Sequence, residues 1–333
     1  MSSLSRRLLL RGACAACAYG GLGHAGLAQT GPFPAKPMVV KMAFPAGGPA
    51  DVSIRAAAVV LQQSLGQPLV VDSMPGANGS LSASFVSRTK PDGYTLLGTT
   101  GIDFLVAPMT IASAKYDPVA FRLLGVAGIS DFVLVSSAAH QFKSVDELVE
   151  YAKKPGNKEL SIAHWGTGSA PHLVAADFQA RTGVRFLEVP YKGAAPTIAD
   201  IAGGQVDLTF VPLGGPTLGM IQNGKMRPIA LASPQRNPAL PDVPTVGESR
   251  ALKNFDYSLW AALLAPPETP EPVVARLTAA MNDWVLSPEN QARIKTNASR
   301  RLDPMTPAQA SAFLRNEHEK YVRVARSLKL DPQ

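Results

Sequence analysis

Hydrophobic positions along the chain alternate between two rhythms. The apolar run from Met38 to Phe44 has the length of a strand. After it, Ile54, Ala57, Ala58, Leu61 and Leu65 recur at helical spacing, predicting a helix from about Val52 to Leu65 that stops at Gly66 with Pro68 beyond. Leu69 to Val71 predicts a second strand, Ser80 to Arg88 a helix, and Tyr94 to Leu97 a strand after the Pro91-Asp92-Gly93 turn. Residues 102–120 hold no clear period and carry Pro108 and Pro118, so irregular chain is expected there. Beyond the apolar run Phe121 to Ser136, Ser144 caps a helix whose first turn carries Asp146 and Glu147. The strand–helix rhythm then returns, with strands over 160–163, 185–189, 206–211 and 226–232 and helices over 170–181, 195–202 and 216–222. The four prolines of Pro234 to Pro244 suggest an exposed connector, followed by a strand over 257–264 and helices over 272–286 and 306–328.

Strands that alternate with helices imply an α/β fold with a parallel-rich sheet covered on both faces. Two such halves are expected, interleaved: residues 29–128 and 233–333 build the first and residues 129–232 the second, with crossings near 128 and 232. A ligand would sit between them, where loops at the strand C-termini converge.

The first 28 residues change that picture only at its edge. Ser5-Arg6-Arg7-Leu8-Leu9-Leu10-Arg11, a small-residue apolar run and Gly26-Leu27-Ala28 make an export signal. The adjacent arginines suggest the twin-arginine route, with ordinary secretion as the alternative. Both cysteines, Cys14 and Cys17, lie in this leader, so the mature chain is expected to hold no disulfide, thiolate metal site or cysteine nucleophile. Removing the leader's three arginines takes the net charge from +7 to +4, mildly suited to an anionic small molecule and too weak to argue nucleic acid. No later apolar run approaches the roughly 18 residues of a membrane span, so a soluble periplasmic monomer is expected.

The candidate chemistry lies in turns. Phe44-Pro45-Ala46-Gly47-Gly48-Pro49-Ala50-Asp51 hands a strand to a helix, and such a turn leaves main-chain N–H groups at a positive helix end, where an anion can dock. Gly166-Thr167-Gly168-Ser169 mirrors it in the other half, ahead of Ala170-Pro171, with His172 in the first helical turn. Tyr191-Lys192-Gly193 is a third turn of this type, its lysine a possible fixed charge for a carboxylate. Asp207 follows Gly203-Gly204 and is suited to bracing a loop or to meeting the ligand. No nucleophile elbow, P-loop lysine, dinucleotide fingerprint or metal-spaced histidine pair is present, so no catalytic residue, metal or cofactor is expected.

Taken together, Phe44 to Asp51, Pro75 to Gly79, Pro91 to Leu97, Tyr191-Lys192-Gly193, Gly203 to Asp207 and Leu240 to Thr245 resemble the Bug receptors, the periplasmic solute-binding proteins of tripartite tricarboxylate transporters. The resemblance implies a type II, flytrap-like binding protein that closes two domains on an organic acid, a di- or tricarboxylate or an aromatic acid. It implies as partners one large and one small membrane subunit. It carries ligand contact to Phe44, Ala46, Gly48 and Asp51, to Gly168, Ser169 and His172, and to Tyr191, Lys192 and Gly193; Asn78, Gly79, Thr99 and Thr167 beside them are further candidate contacts. Trp165 either flanks an aromatic or long-chain acid together with Phe44 or packs in the core. The sequence departs from the family pattern at Asp72-Ser73-Met74-Pro75, at Asn78, and at Ile102-Asp103-Phe104 after Thr99-Thr100-Gly101. Without a transporter, the same cleft would serve a sensor; an exported hydrolase would need a nucleophile–base pair that the chain does not supply.

Overall fold

The computed structural model describes residues 33–328, and the fold concerns the compact unit that begins at Lys36. The expected export signal over residues 1–28 lies outside the described residues. Strand β1 (Met38–Met42) leads into helix α1 (Pro49–Leu65), then β2 (Leu69–Ser73), α2 (Ser80–Val86), β3 (Thr95–Thr100) and α3 (Gly101–Thr110). The long strand β4 (Arg122–Ser137) follows, then α4 (Val145–Lys153), β5 (Ser161–His164), α5 (Ala170–Thr182), β6 (Leu187–Pro190), α6 (Ala194–Ala202), β7 (Leu208–Pro212), α7 (Gly215–Gln222) and β8 (Met226–Leu231). The chain closes with β9 (Ser258–Ala265), α8 (Glu271–Leu286), α9 (Pro288–Thr296) and α10 (Pro307–Ser327).

The strands follow the order β2-β1-β3-β9-β4-β7-β5-β6, with β8 also paired to β4. β1 is parallel to β2 and β3, and β5 is parallel to β6 and β7, so each end of the order is a parallel α/β unit. β4 joins them. Its residues Arg122–Asp131 pair antiparallel with β9, whereas Phe132 onward pairs antiparallel with β7 and β8. One strand therefore belongs to two halves of the sheet, and the first passage falls between Asp131 and Phe132. Arg300 pins this point by pairing with both Asp131 and Asp256.

The way back differs from the expected position near 232. Ala232 N–H still donates to Phe132 O, Phe132 N–H to Tyr257 O, and Tyr257 N–H to Ala232 O. Residues 233–257 stay with the second half: Phe255 packs against Phe178 and Phe210, and the Tyr257 hydroxyl donates to Asp177 on α5 (3.0 Å). The chain rejoins the first half at Ser258, opposite Asp131. The proline-rich segment from Pro234 to Pro244 is mostly exposed, as expected, with Asn237 and Val243 buried; the anchors that hold the chain to the second half come after it, at Val246, Leu252 and Phe255, all buried.

Residues 102–110 also differ from the irregular chain expected, because they form α3 with Pro108 inside it. Proline removes the N–H that would bond the carbonyl of residue 104. Here the Tyr116 hydroxyl takes that role, donating to Phe104 O at 2.8 Å while its ring stacks on Phe104 with centroids 5.4 Å apart. An accepted hydrogen bond restored from outside the helix makes the proline tolerable. Elsewhere the helical pattern was legible: Ile54, Ala57, Leu61 and Leu65 of α1 are buried, each large apolar side chain contributing about 1.5–3 kcal/mol.

Candidate functional site

Two groups of loops, one from each half, meet at the C-terminal ends of the parallel strands. In the first half, the chain leaves β1 at Ala43, turns through residues 44–48 and enters α1 at Pro49. Gly48 is the N-cap in extended conformation, Pro49 occupies the first helical position, and no side chain caps the helix. The loop's shape comes from Asp51. Its Oδ2 accepts Gly47 N–H at 2.9 Å, and both its oxygens accept from Arg55 Nε at 2.8 and 3.0 Å. Asp51 is buried. Expected to meet the ligand, it buttresses the turn through these bonds to its own loop and to Arg55.

The loop after β2 lies alongside. A Cβ at Gly79 would come within 3.4 Å of the Phe44 ring and 3.0 Å of Ala43. Asn78, held at φ 48°, projects Nδ2 to Thr167 O at 3.1 Å. That hydrogen bond crosses from one half to the other and links Phe44, Gly79, Asn78 and Thr167 in one run of contacts. Gly168 closes in beside it. It has φ 76°, and a Cβ there would fall 2.7 Å from Thr110 Oγ1 at the end of α3, so both conformation and space require glycine.

In the second half, the turn after β5 is held by imidazoles. Gly166 N–H donates to His164 Nδ1 (3.2 Å) and Gly168 N–H to His172 Nδ1 (3.0 Å), while Ser169 N–H donates to Gly166 O (3.1 Å). The His164 and His172 rings lie 4.6 Å apart by centroid, and both are buried. Burial, with His172 adjacent, lowers the pKa of His164. His172 Nε2 lies 3.6 Å from Glu188 Oε2, and this contact, opposed by partial burial and aided by Gln179, holds Glu188 down to about 2.

His164, His172 and Glu188 bring one ligand atom each within 4.8 Å of one another, the one such cluster among the described residues. No histidine pair was legible in the sequence because a strand end, a turn and a helix start separate the two. Each Nδ1 accepts a main-chain N–H, which leaves the proton on Nε2. A metal bound through Nε2 would place Nδ1–H against Gly166 or Gly168 N–H, donor against donor. The cluster is thus arranged to hold the loop.

The remaining donors are conspicuous. Trp260 Nε1–H reaches Glu317 and Trp284 Nε1–H reaches Ala127 O, both at 2.8 Å. Trp165 Nε1 is buried with no partner among the described residues, and so is Ser169 Oγ at the N-cap of α5. Buried donors of this kind are expected to be bonded. Asp103 was not among the expected site residues, yet it stands at the junction: its Oδ1 accepts Ala170 N–H (3.0 Å) and its Oδ2 accepts from Thr100 Oγ1 (2.6 Å). Burial raises its pKa against these two hydrogen bonds.

The other expected site residues are placed as follows. Thr99 is wholly buried within β3, opposite Ala262. The Tyr191 hydroxyl donates to Asp200 (2.8 Å), Gly193 is the N-cap of α6, and Lys192 and Ala46 are exposed. Asp207 lies at the opposite end of β5, where it accepts from Ser161 N–H and Oγ (2.9 Å each) and contacts His140 (2.8 Å) and Lys158 (3.4 Å). It braces strands instead of meeting the 166–169 turn.

Similarity to known proteins runs along most of the chain. The TctC family model, described as "Tripartite tricarboxylate transporter family receptor", matches residues 53–330. Protein BugT of Bordetella pertussis is 31% identical over 305 residues, covering 88% of this chain and 90% of BugT. The structure of periplasmic binding protein BugD superposes with a TM-score of 0.79 at 31% identity, over 90% of this chain and 100% of BugD. An R. palustris protein with adipate gives a TM-score of 0.81 at 26% identity, over 90% of this chain and 100% of its own.

Proposed function

The chain belongs to the TctC family of tripartite tricarboxylate transporter receptors, and from that membership we propose that it binds an organic carboxylate between its two groups of loops and delivers it to a membrane transporter of one large and one small subunit. The observation that carries this reading is the hydrogen bond from Asn78 to Thr167 O, which joins the loops of the two halves beside an uncapped helix start at Gly48. An uncapped N-terminus has spare N–H groups and a positive dipole end, both suited to a carboxylate. Phe44 and Trp165 flank the body of the acid, and the Ser169 hydroxyl and Trp165 indole N–H supply neutral donors.

Two lobes close on the ligand. One carries β1, β2, β3 and β9; the other carries β5 to β8 with residues 233–257; β4 and the Tyr257–Ser258 link serve as the hinge. The protein acts as a monomer in the periplasm, exported by the twin-arginine route of its Arg6-Arg7 leader, and makes or breaks no bond. No helix among the described residues is long and apolar enough to cross a membrane.

Thermal-shift titration of the mature chain against mono-, di- and tricarboxylic acids and aromatic acids tests the reading. A ligand at 100 times its Kd stabilises the folded form by about 2.7 kcal/mol, so at least one acid raises the Tm in a saturable manner. A chain that ignores every acid at millimolar concentration while a sugar or a cation stabilises it would contradict the proposal.

A further inference from the structure

Asp103 is a carboxylate of the protein seated where a ligand's carboxylate would be sought. It lies in the first turn of α3, is 2% exposed, and reaches across from the first half to Ala170 N–H, the first helical N–H of α5. The buried donors of that turn's main chain are also taken, while Thr167 between them is exposed. Gly166 and Gly168 N–H are held by His164 and His172, Ser169 N–H closes on Gly166 O, and Pro171 has no N–H. The second half thus meets a ligand with a negative charge already in residence. At the junction its buried side-chain donors without a partner among the described residues are neutral, Ser169 Oγ and Trp165 Nε1. Indole N–H can only donate, and a hydroxyl can donate to an uncharged acceptor.

Building on the carboxylate-receptor reading, we infer that Asp103 sets specificity: the ligand carries one carboxylate, docked at the α1 end, and an uncharged hydrogen-bond acceptor such as a hydroxyl or carbonyl at its far end, facing Ser169 and Trp165. A second carboxylate at that end would stand against Asp103 in a water-poor setting. Like charges so placed disfavour binding by roughly 100-fold or more.

Isothermal titration of the mature chain with adipate, 6-hydroxyhexanoate and hexanoate, which differ only at the far end, tests the inference. The wild type binds 6-hydroxyhexanoate about 100-fold more tightly than adipate at pH 7.5. Asp103→Asn, which keeps an acceptor for Ala170 N–H, narrows the gap at pH 7.5 by roughly tenfold or more. Ser169→Ala narrows the separate gap between 6-hydroxyhexanoate and hexanoate by roughly tenfold. The wild-type comparison stands even if a variant fails to fold. Adipate bound as tightly as 6-hydroxyhexanoate by the wild type would overturn the inference and leave the carboxylate-receptor reading intact. An Asp103→Asn gap equal to the wild type's would overturn it likewise. No binding of any acid in the wider thermal-shift panel would remove the carboxylate-receptor reading itself, and this inference with it.

Discussion

At the scale of single residues, the site is built by groups that satisfy main-chain N–H donors, and glycines differ sharply in what they tolerate. Gly168 has φ 76° and no room for a Cβ beside Thr110, whereas Gly48 has φ −71° and its nearest contact for a Cβ is Pro45 O at 3.5 Å. Gly168→Ala is therefore expected to cost about 1–3 kcal/mol of stability in urea denaturation, and Gly48→Ala less than about 0.5 kcal/mol. Equal losses would contradict the account of the turn. Asp207 gives a second residue-scale prediction. Its burial opposes ionisation, but hydrogen bonds from Ser161 N–H, His140 and Ser161 Oγ outweigh it and hold the carboxyl at about 2. A depressed carboxyl contributes stability that is fully present above its unfolded pKa of about 4 and is lost as pH falls through the folded value. Asp207→Asn should thus destabilise the protein by roughly 1.5–3 kcal/mol at pH 7 and flatten the decline between about pH 4 and 2. Its ligand affinity should match the wild type's; a large loss of affinity in a folded variant would return Asp207 to the site.

At the scale of elements, α3 shows how one residue outside a helix decides whether the helix forms. Tyr116→Phe keeps the stack on Phe104 but leaves Phe104 O without its donor, a loss of about 1–3 kcal/mol. Pro108→Ala restores an N–H for the same carbonyl, so the double variant should recover most of the loss in a thermodynamic cycle. Simple additivity would refute the pairing. This element also marks the limit of what the sequence discloses. Helices with a regular apolar face, such as α1 and α8, and the paired glycine turns at 44–51 and 166–169 were legible because spacing alone encodes them. α3 was not, since Pro108 argues against a helix unless Tyr116 is known to stand beside it. The same holds for His164, His172 and Asp103. Their roles depend on a strand end, a helix start and a second half of the sheet coming together, and no local spacing records that. Asp103 did leave a trace, as a departure from the family pattern at Ile102-Asp103-Phe104.

At the scale of the whole molecule, the shared strand β4 ties two α/β halves so that their loops can meet at Asn78 and Thr167. The structure of periplasmic binding protein BugD superposes on that architecture, and Asp103, Ser169 and Trp165 stand at the junction. The most direct test is a crystal structure of the mature chain with the acid that stabilises it most. The account predicts the acid's carboxylate on the main-chain N–H groups at the start of α1, between residues 44–48 and 165–169. A carboxylate bound anywhere else, with those loops empty or apart, would contradict it.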